Sequence, residues 1–228
     1  MIVFVDYEHP EGHDTEWGPK LLAARTTITY RLEDLAEQHC MLVRYDRITP
    51  ELMAQLEVEA VFISGNGTDP DRYDPTSLEP LTEVGTSGRV PVFGFCGGFQ
   101  FIAQALGATL APINADVGQE HGELLRPFSN GRLGEMGYHK VDILGDHPLV
   151  DGLGPEPVFR HAHHLEVPEP PPGFEILASS PITAVQMAVD NDRRLVGTQF
   201  HPEYYTDRFP DGERLIRNFL RWAGIGPD

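Results

Sequence analysis

"PVFGFCGGFQFIAQALG", residues 91–107, is the stretch on which the fold turns. An apolar, β-favouring run, PVFGF, breaks at Cys96 and two glycines, and FQFIAQALG continues with helical character. A strand that passes directly into a helix through a glycine-flanked thiol has the sequence form of a nucleophile elbow. Such a turn is tight, and Gly94 and Gly98 stand where a Cβ would strike the neighbouring strand or helix. It would set the thiol at a helix N-terminus, whose dipole favours thiolate, with the N–H of Gly97 directed at an oxyanion. A small buried thiol in a tight loop has the same letters, because Cys is among the most buried residue types. A base is needed to choose between them.

Outward from the elbow, MIVFVD (1–6), MLVRYD (41–46) and AVFIS (60–64) are short β-branched or aromatic runs bounded by turn residues, as buried parallel strands are. Between them lie helix-length segments with apolar residues at helical spacing, Leu21, Leu22, Ile28, Leu32, Leu35 and Ala36, then Leu78, Leu81 and Val84. Repeated strand–helix–strand units predict right-handed crossovers and a mostly parallel central sheet with helices on both faces. After Gly107 the texture changes. KVDIL, EPVFRH, FEILAS, TAVQMAV and RLVGTQF are separated by Gly-, Pro- and Asp-rich turns, which predicts antiparallel additions in the C-terminal half. PEPPPG (168–173) reads as a rigid surface turn, and DGERLIRNFLRWAG (211–224) as a closing helix that packs Leu215, Ile216, Phe219, Leu220 and Trp222. One α/β domain over residues 1–228 is the simplest organisation.

Hydrophobic residues make up 40% and charged residues 23% of the chain, the balance of a globular protein with a sizeable core. The formal net charge is -18, with no Lys/Arg cluster, which argues against a nucleic-acid partner and leaves the acid excess to solubility or a basic protein partner. No apolar run approaches the roughly 20 residues that cross a bilayer, and the N-terminus lacks the features of a signal peptide. The expected location is the cytoplasm, with no membrane partner. Two cysteines outside any CxxC pair, Cys40 and Cys96, point to free thiols.

LVGTQFHPEYY (195–205) supplies the base. An apolar strand ends in His201, and in an extended segment Glu203 would project to the same side. The carboxylate would then fix the imidazole's tautomer while the other ring nitrogen takes the thiol proton. Pro202 keeps Phe200 and His201 out of helical geometry. Both Cys96 and His201 sit at the carboxyl ends of strands, where sites gather in parallel sheets.

GFCGGFQ with a downstream QFHPE resembles the class I, or triad, glutamine amidotransferases, whose G-x-C-x-G-x-Q pattern matches Gly94, Cys96, Gly98 and Gln100. The resemblance implies a flavodoxin-like α/β fold, a Cys96–His201–Glu203 triad, L-glutamine as substrate, and no cofactor or metal. It places the oxyanion hole at the N–H of Gly97 and in the FISGNGTDP loop, with Gly65, Asn66 and Gly67 as candidates. Asn66 departs from the pattern, where the family usually has Gly followed by Pro. It also implies a glutamine pocket lined by Gln100, by His121 and Gly122 of QEHGEL (119–124), and by Ala162 and His163 of FRHAHHLEV (159–167). HPLVDGLGPEPV (147–158) and PPGFEILASS (171–180) look most like the amidotransferase part of GMP synthases. With no acceptor domain in this sequence, the expectation is a separate synthase subunit that receives the ammonia, and a Gly65–Gly67 loop that gates the site by a peptide flip. A γ-glutamyl hydrolase using the same triad, and a catalytically silent binding module, are the competing readings.

Two other stretches invite different chemistry. His161 and His163 share one face of a strand beside His164, with Glu166 the nearest carboxylate in sequence, and a turn lining the pocket explains them better than a metal site. DYEHPEGHD (6–14) is expected to be a solvated or partner-facing loop. GNGTDPDRYDP (65–75) lacks the G-K-[ST] ending of a phosphate loop.

Overall fold

The computed structural model describes residues 1–113, 121–128 and 131–226. In chain order the elements are β1 (Ile2–Asp6), α1 (Pro10–His13), α2 (Gly18–Ala36), β2 (Cys40–Arg44), α3 (Pro50–Gln55), β3 (Ala60–Ile63), α4 (Pro75–Thr86), β4 (Val92–Phe95) and α5 (Gly97–Ala105). There follow β5 (Ala111–Pro112), β6 (Leu125–Pro127), β7 (Leu133–Lys140), β8 (Asp142–Ile143), β9 (Val158–His163), β10 (Leu165–Glu166), β11 (Glu175–Ser179), β12 (Met187–Asp190), β13 (Leu195–Thr198) and α6 (Asp211–Trp222).

The main sheet has the order β2-β1-β3-β4-β13-β12-β11-β8. Its first five strands pair in parallel, and β12, β11 and β8 continue it antiparallel. This is the mostly parallel sheet with antiparallel additions that the sequence predicts. The strand runs are apolar throughout because both faces are covered. Ile2, Phe4, Phe62, Phe93 and Phe95 point to one face, under Ile28 and Leu32 of α2 and Leu215 and Phe219 of α6. Val3, Val5, Val61, Ile63 and Val92 point to the other, under Met53 of α3, Leu81 of α4 and Ile102 of α5. The side-chain period of two along each strand thus divides one apolar run between two cores. On α2, Ile28, Leu32, Leu35 and Ala36 are buried as their spacing predicts, whereas Leu22 lies on the outer side and is exposed.

Between α5 and β13 the chain makes a long excursion. There β6-β7-β9 form a second, three-stranded antiparallel sheet, and β5 pairs with β10. The segment KVDIL is split, its lysine ending β7 and its Asp-Ile forming β8. LGEMGYHK, with two glycines and no apolar run, gives no strand signal, yet forms β7 by pairing with β9 over six residues, Glu135↔His163 to Lys140↔Val158. Close approach explains Gly134, where a Cβ would lie 2.2 Å from the His163 carbonyl oxygen.

Candidate active site

β4 ends at Phe95 and leads straight into Cys96, whose φ of 50° and ψ of -104° are strained for a non-glycine residue. The glycines around it are compelled by contact. A Cβ on Gly94 would lie 2.6 Å from the Gly98 carbonyl carbon and the Phe99 nitrogen, and one on Gly98 would lie 2.3 Å from the Ile63 carbonyl oxygen. Gly97 is equally constrained, by Asn66, whose side-chain oxygen would lie 1.9 Å from a Cβ there. The strand, the elbow and the start of α5 are therefore packed backbone to backbone, and the thiol is held at the head of α5.

β13 lies beside β4 in parallel register, Thr198↔Phe95, and the Cys96 N–H donates to the Thr198 carbonyl at 2.7 Å. The chain leaving β13 passes directly over the elbow. Gln199 Nε2 lies 3.7 Å from Cys96 Sγ, and His201 follows, its N–H anchored on the Arg160 carbonyl of β9 at 2.8 Å. His201 Nδ1 is 2.8 Å from Glu203 Oε1. The pairing does not come from an extended segment, as the sequence suggests. Pro202 opens a short 3₁₀ turn, Pro202–Tyr204, that folds Glu203 back under the ring. The other ring nitrogen is left for the thiol, and Arg31 Nη1 fixes the turn by donating to the Glu203 carbonyl at 2.8 Å.

Burial would raise the Cys96 pKa, but the charge of His201 and a hydrogen bond from it hold the thiol below its usual value. Burial pulls His201 down, and this is outweighed by the Glu203 carboxylate and the Cys96 thiolate, which push it up to about 9. The two shifts favour a thiolate–imidazolium pair. Cys40 differs: burial pushes it up to about 12, with Glu33 adding to the effect.

The loop after β3 closes on both residues. A Cβ on Gly65 would lie 2.7 Å from His201 Cε1 and 3.4 Å from Cys96 Cβ. The Gly65 carbonyl accepts from Arg25 Nη2 at 2.7 Å and from Ser64 Oγ at 2.9 Å, and Arg25 Nε donates to Asp6 Oδ1 at 2.8 Å. A trans peptide directs its N–H opposite to its C=O, so this clamp turns the Asn66 N–H away from Arg25. The N–H groups of Asn66 and Gly97 have no protein acceptor among the described residues, and a Cβ on Gly97 would lie 3.0 Å from the Asn66 nitrogen. Gly67 departs from expectation: its N–H donates to Glu8 Oε2 at 2.6 Å, so it has no donor left for an oxyanion.

Asp6 and Glu8 also overturn the reading of residues 6–14 as a solvated loop. Both are 3% exposed, and both are tied to the loop after β3, Asp6 through Arg25 and Glu8 through Gly67 and Thr68. One signal for this was present in the sequence: Arg25 lies on the stripe of α2 that carries Ile28 and Leu32, where a charge is buried only with a partner.

A cavity of about 110 Å³ opens at Cys96, lined also by Asn66, Gln100, Ala162, His163 and Leu165. Gln100 spans its floor, Nε2 donating to the Leu165 carbonyl at 2.9 Å and to Gln199 Oε1 at 3.3 Å. His121 and Gly122 are not among the described residues that line this cavity. They form the turn that leads into β6, with their carbonyls bonded to Leu124 and Leu125, while Gln119 and Glu120 of the same segment lie outside the described residues. Glu135, for which the sequence gives no signal, is fully buried on β7 and bonds His163 Nε2 at 2.9 Å, with His161 Nδ1 at 3.7 Å. The carboxylate that meets the histidines of β9 is therefore Glu135. Among the described residues, no helix is long and apolar enough to cross a membrane.

The protein-family model for class I glutamine amidotransferases matches residues 24–222. The glutamine-hydrolysing GMP synthase of Mycolicibacterium paratuberculosis is 38% identical over 183 residues, 79% of this chain and 30% of that protein. That of Symbiobacterium thermophilum is 32% identical over 165 residues, 72% and 28% respectively. The chain thus spans less than a third of the length of these relatives. In Sulfolobus acidocaldarius, one subunit of a glutamine-hydrolysing GMP synthase is 35% identical over 134 residues, 58% of this chain and 60% of that protein. Among solved structures, a glutamine amidotransferase of Thermotoga maritima has a TM-score of 0.61 at 15% identity, covering 97% of this chain and 98% of its own, a likeness of fold. An elbow cysteine, a His-Pro-Glu turn set over it and a match across nearly the whole chain agree: the chain belongs to the class I glutamine amidotransferase family.

Proposed function

We propose that the chain hydrolyses L-glutamine to glutamate and ammonia, and that it does so as one domain. The observation that carries the reading is Cys96, strained at its elbow beneath a His201 that Glu203 orients, with His201 holding the thiol below its usual pKa. The side-chain amide enters the cavity over Cys96. The thiolate attacks the amide carbon, and the oxyanion that forms is stabilised by the Asn66 and Gly97 N–H groups. The C–N bond then breaks as the His201 imidazolium gives its proton to the leaving nitrogen, which departs as ammonia and leaves a γ-glutamyl thioester on Cys96. Neutral His201 takes a proton from water, hydroxide adds to the thioester carbon, and the C–S bond breaks to restore the thiolate beside the imidazolium; the new carboxyl group gives its remaining proton to solvent, where the released ammonia takes one up, and leaves as glutamate. Ala162 and Gln100 line the cavity and shape the glutamine site. No step calls for a metal or an organic cofactor.

A relative named as one subunit of a GMP synthase supports a separate synthase protein as the receiver of the ammonia. One observation favours a stand-alone γ-glutamyl hydrolase instead. The oxyanion loop is already pinned by Arg25 and Glu8, two residues of the same chain.

Treatment with a γ-glutamyl chloroketone, followed by mass analysis of the peptide holding Cys96, tests the nucleophile. The expected result is one adduct on Cys96, none on Cys40, and a glutaminase rate reduced by several orders of magnitude in Cys96→Ser. Retention of activity in that variant would sink the reading.

A further inference from the structure

His163 presents both ring nitrogens to acceptors. Nδ1 is 3.0 Å from the Leu165 carbonyl oxygen, which can only accept, so Nδ1 carries a proton. Nε2 is 2.9 Å from Glu135 Oε2. That oxygen already accepts from the Gln186 amide nitrogen at 2.7 Å and from Thr183 Oγ1 at 3.2 Å, while Ser180 Oγ donates to Oε1 at 3.3 Å. Ser180 Oγ itself accepts from the Ile182 and Thr183 backbone N–H groups, which leaves its hydrogen for Glu135 Oε1; with Thr183 and Gln186 donating to Oε2, both carboxyl oxygens act as acceptors, and the hydrogen between Oε2 and His163 resides on Nε2.

We infer that His163 is a doubly protonated imidazolium, locked by Glu135 and the Leu165 carbonyl, and that its fixed charge acts, in addition to His201, as a second cation for the Cys96 thiolate, with which it lines the cavity. Both of its N–H groups are engaged by protein acceptors, so His163 neither shuttles a proton nor bonds the substrate. It is a positioning residue that acts through charge, and Glu135 acts through it.

The charged groups around the thiol form an alternating series, each carboxylate bonded to a histidine: Glu135 from β7, His163 from β9, Cys96 at the elbow, then His201 and Glu203 after β13. Around them, His161 on β9 and His139 on β7 lie ring to ring, and Glu166 is half-buried on β10. Burial holds His161 low despite Glu135, which leaves it neutral, and burial likewise raises Glu166. For His163 burial is outweighed by its bond to Glu135, so its pKa is raised, and its charge in turn lowers that of Cys96. Glu135, His161 and His163 are also close enough to hold a metal ion, their donor atoms lying within 4.8 Å of one another. The donors already on Glu135 Oε2 favour the charge pair.

The inference rests on Cys96 as the nucleophile but not on glutamine as the donor, and its test reads protons and thiol reactivity rather than turnover. The protein is ¹⁵N-labelled at histidine, treated with EDTA and carries His201→Ala to remove the other buried imidazolium. One imidazole is expected to keep both nitrogens protonated from about pH 6 to pH 9, above the ordinary histidine range, and to vanish in His201→Ala/His163→Gln. In the same background, iodoacetamide should alkylate Cys96 with a midpoint below the ordinary thiol value of about 8.5. His163→Gln should raise that midpoint by about one unit, a tenfold loss of rate at neutral pH. Glu135→Gln should let His163 titrate. No imidazolium above pH 8, or an unchanged midpoint in a folded His163→Gln chain, overturns the inference, as does an imidazole signal that changes on adding Zn²⁺.

Discussion

Cys96 sits at a φ of 50°, where a side chain costs on the order of 1–3 kcal/mol, because β4 must end and α5 must begin within one residue. Cys96→Ala and Cys96→Gly both delete the thiol and differ only in the tolerance of that backbone. The glycine variant should be the more stable by about 1 kcal/mol, against the usual order in which Ala is favoured. Thermal unfolding of the two variants checks this, and equal or reversed midpoints would mean that the elbow stores no strain. The second consequence at this scale concerns pH. With His201 pushed up to about 9 by Glu203 and Cys96, its proton is present throughout the neutral range and is lost only above that value. Ammonia leaves as a neutral molecule only if that proton is delivered, so kcat/KM for glutamine should hold through pH 8 and fall as pH rises past about 9. A decline already centred near the ordinary histidine value of about 6.5 would contradict the assignment.

At the scale of elements, β1 and α2 prepare the loop after β3. Arg25 reaches from α2 to the end of β1 and to the Gly65 carbonyl, so one buried side chain joins three elements and aims one peptide. Arg25→Met should release that peptide and reduce kcat about tenfold to a hundredfold with little change in KM, since in the proposed mechanism the donor it aims serves the transition state. Leaving buried Asp6 with only His13 and the Glu8 N–H as partners among the described residues should also destabilise the chain, by up to about 3 kcal/mol. In the double variant Arg25→Met/Asp6→Asn the stability should return and the rate should not. Steady-state kinetics and thermal melts on the same preparations separate the two effects. A gate that works by flipping the Gly65–Asn66 peptide would have to break this clamp, which places a cost on a mechanism that glycine alone would leave free.

At the scale of the whole molecule, the question is whether the site is finished without a partner. A partner-dependent chain should turn glutamine over slowly when alone and gain on the order of tenfold or more when its synthase and acceptor substrate are added, the effect of engaging one oxyanion donor. Turnover of glutamine or a γ-glutamyl amide by the isolated chain at about 10 per second or faster, the rate of an ordinary finished enzyme, would favour the hydrolase. Stopped assays with and without the synthase decide between them.

The sequence by itself determined the parallel core and the elbow, and it set His201 and Glu203 two positions apart after an apolar strand, because each is written in local physics: a run of β-branched and aromatic residues, glycines where backbones touch, a His-Pro-Glu triplet. That Pro202 opens a 3₁₀ turn in place of an extended segment was decided only by the tertiary structure. Asn66 as the donor left in its loop, and Glu135, Arg25, Asp6 and Glu8 as partners of the site, were decided only by the tertiary structure. Gly67 loses its donor to Glu8, which is 59 positions away, and Glu135 meets His163 only because a glycine-rich polar segment pairs with β9 as a strand. A buried charge is stable only beside its partner, and with partners this distant in the chain no local pattern of residues announces them.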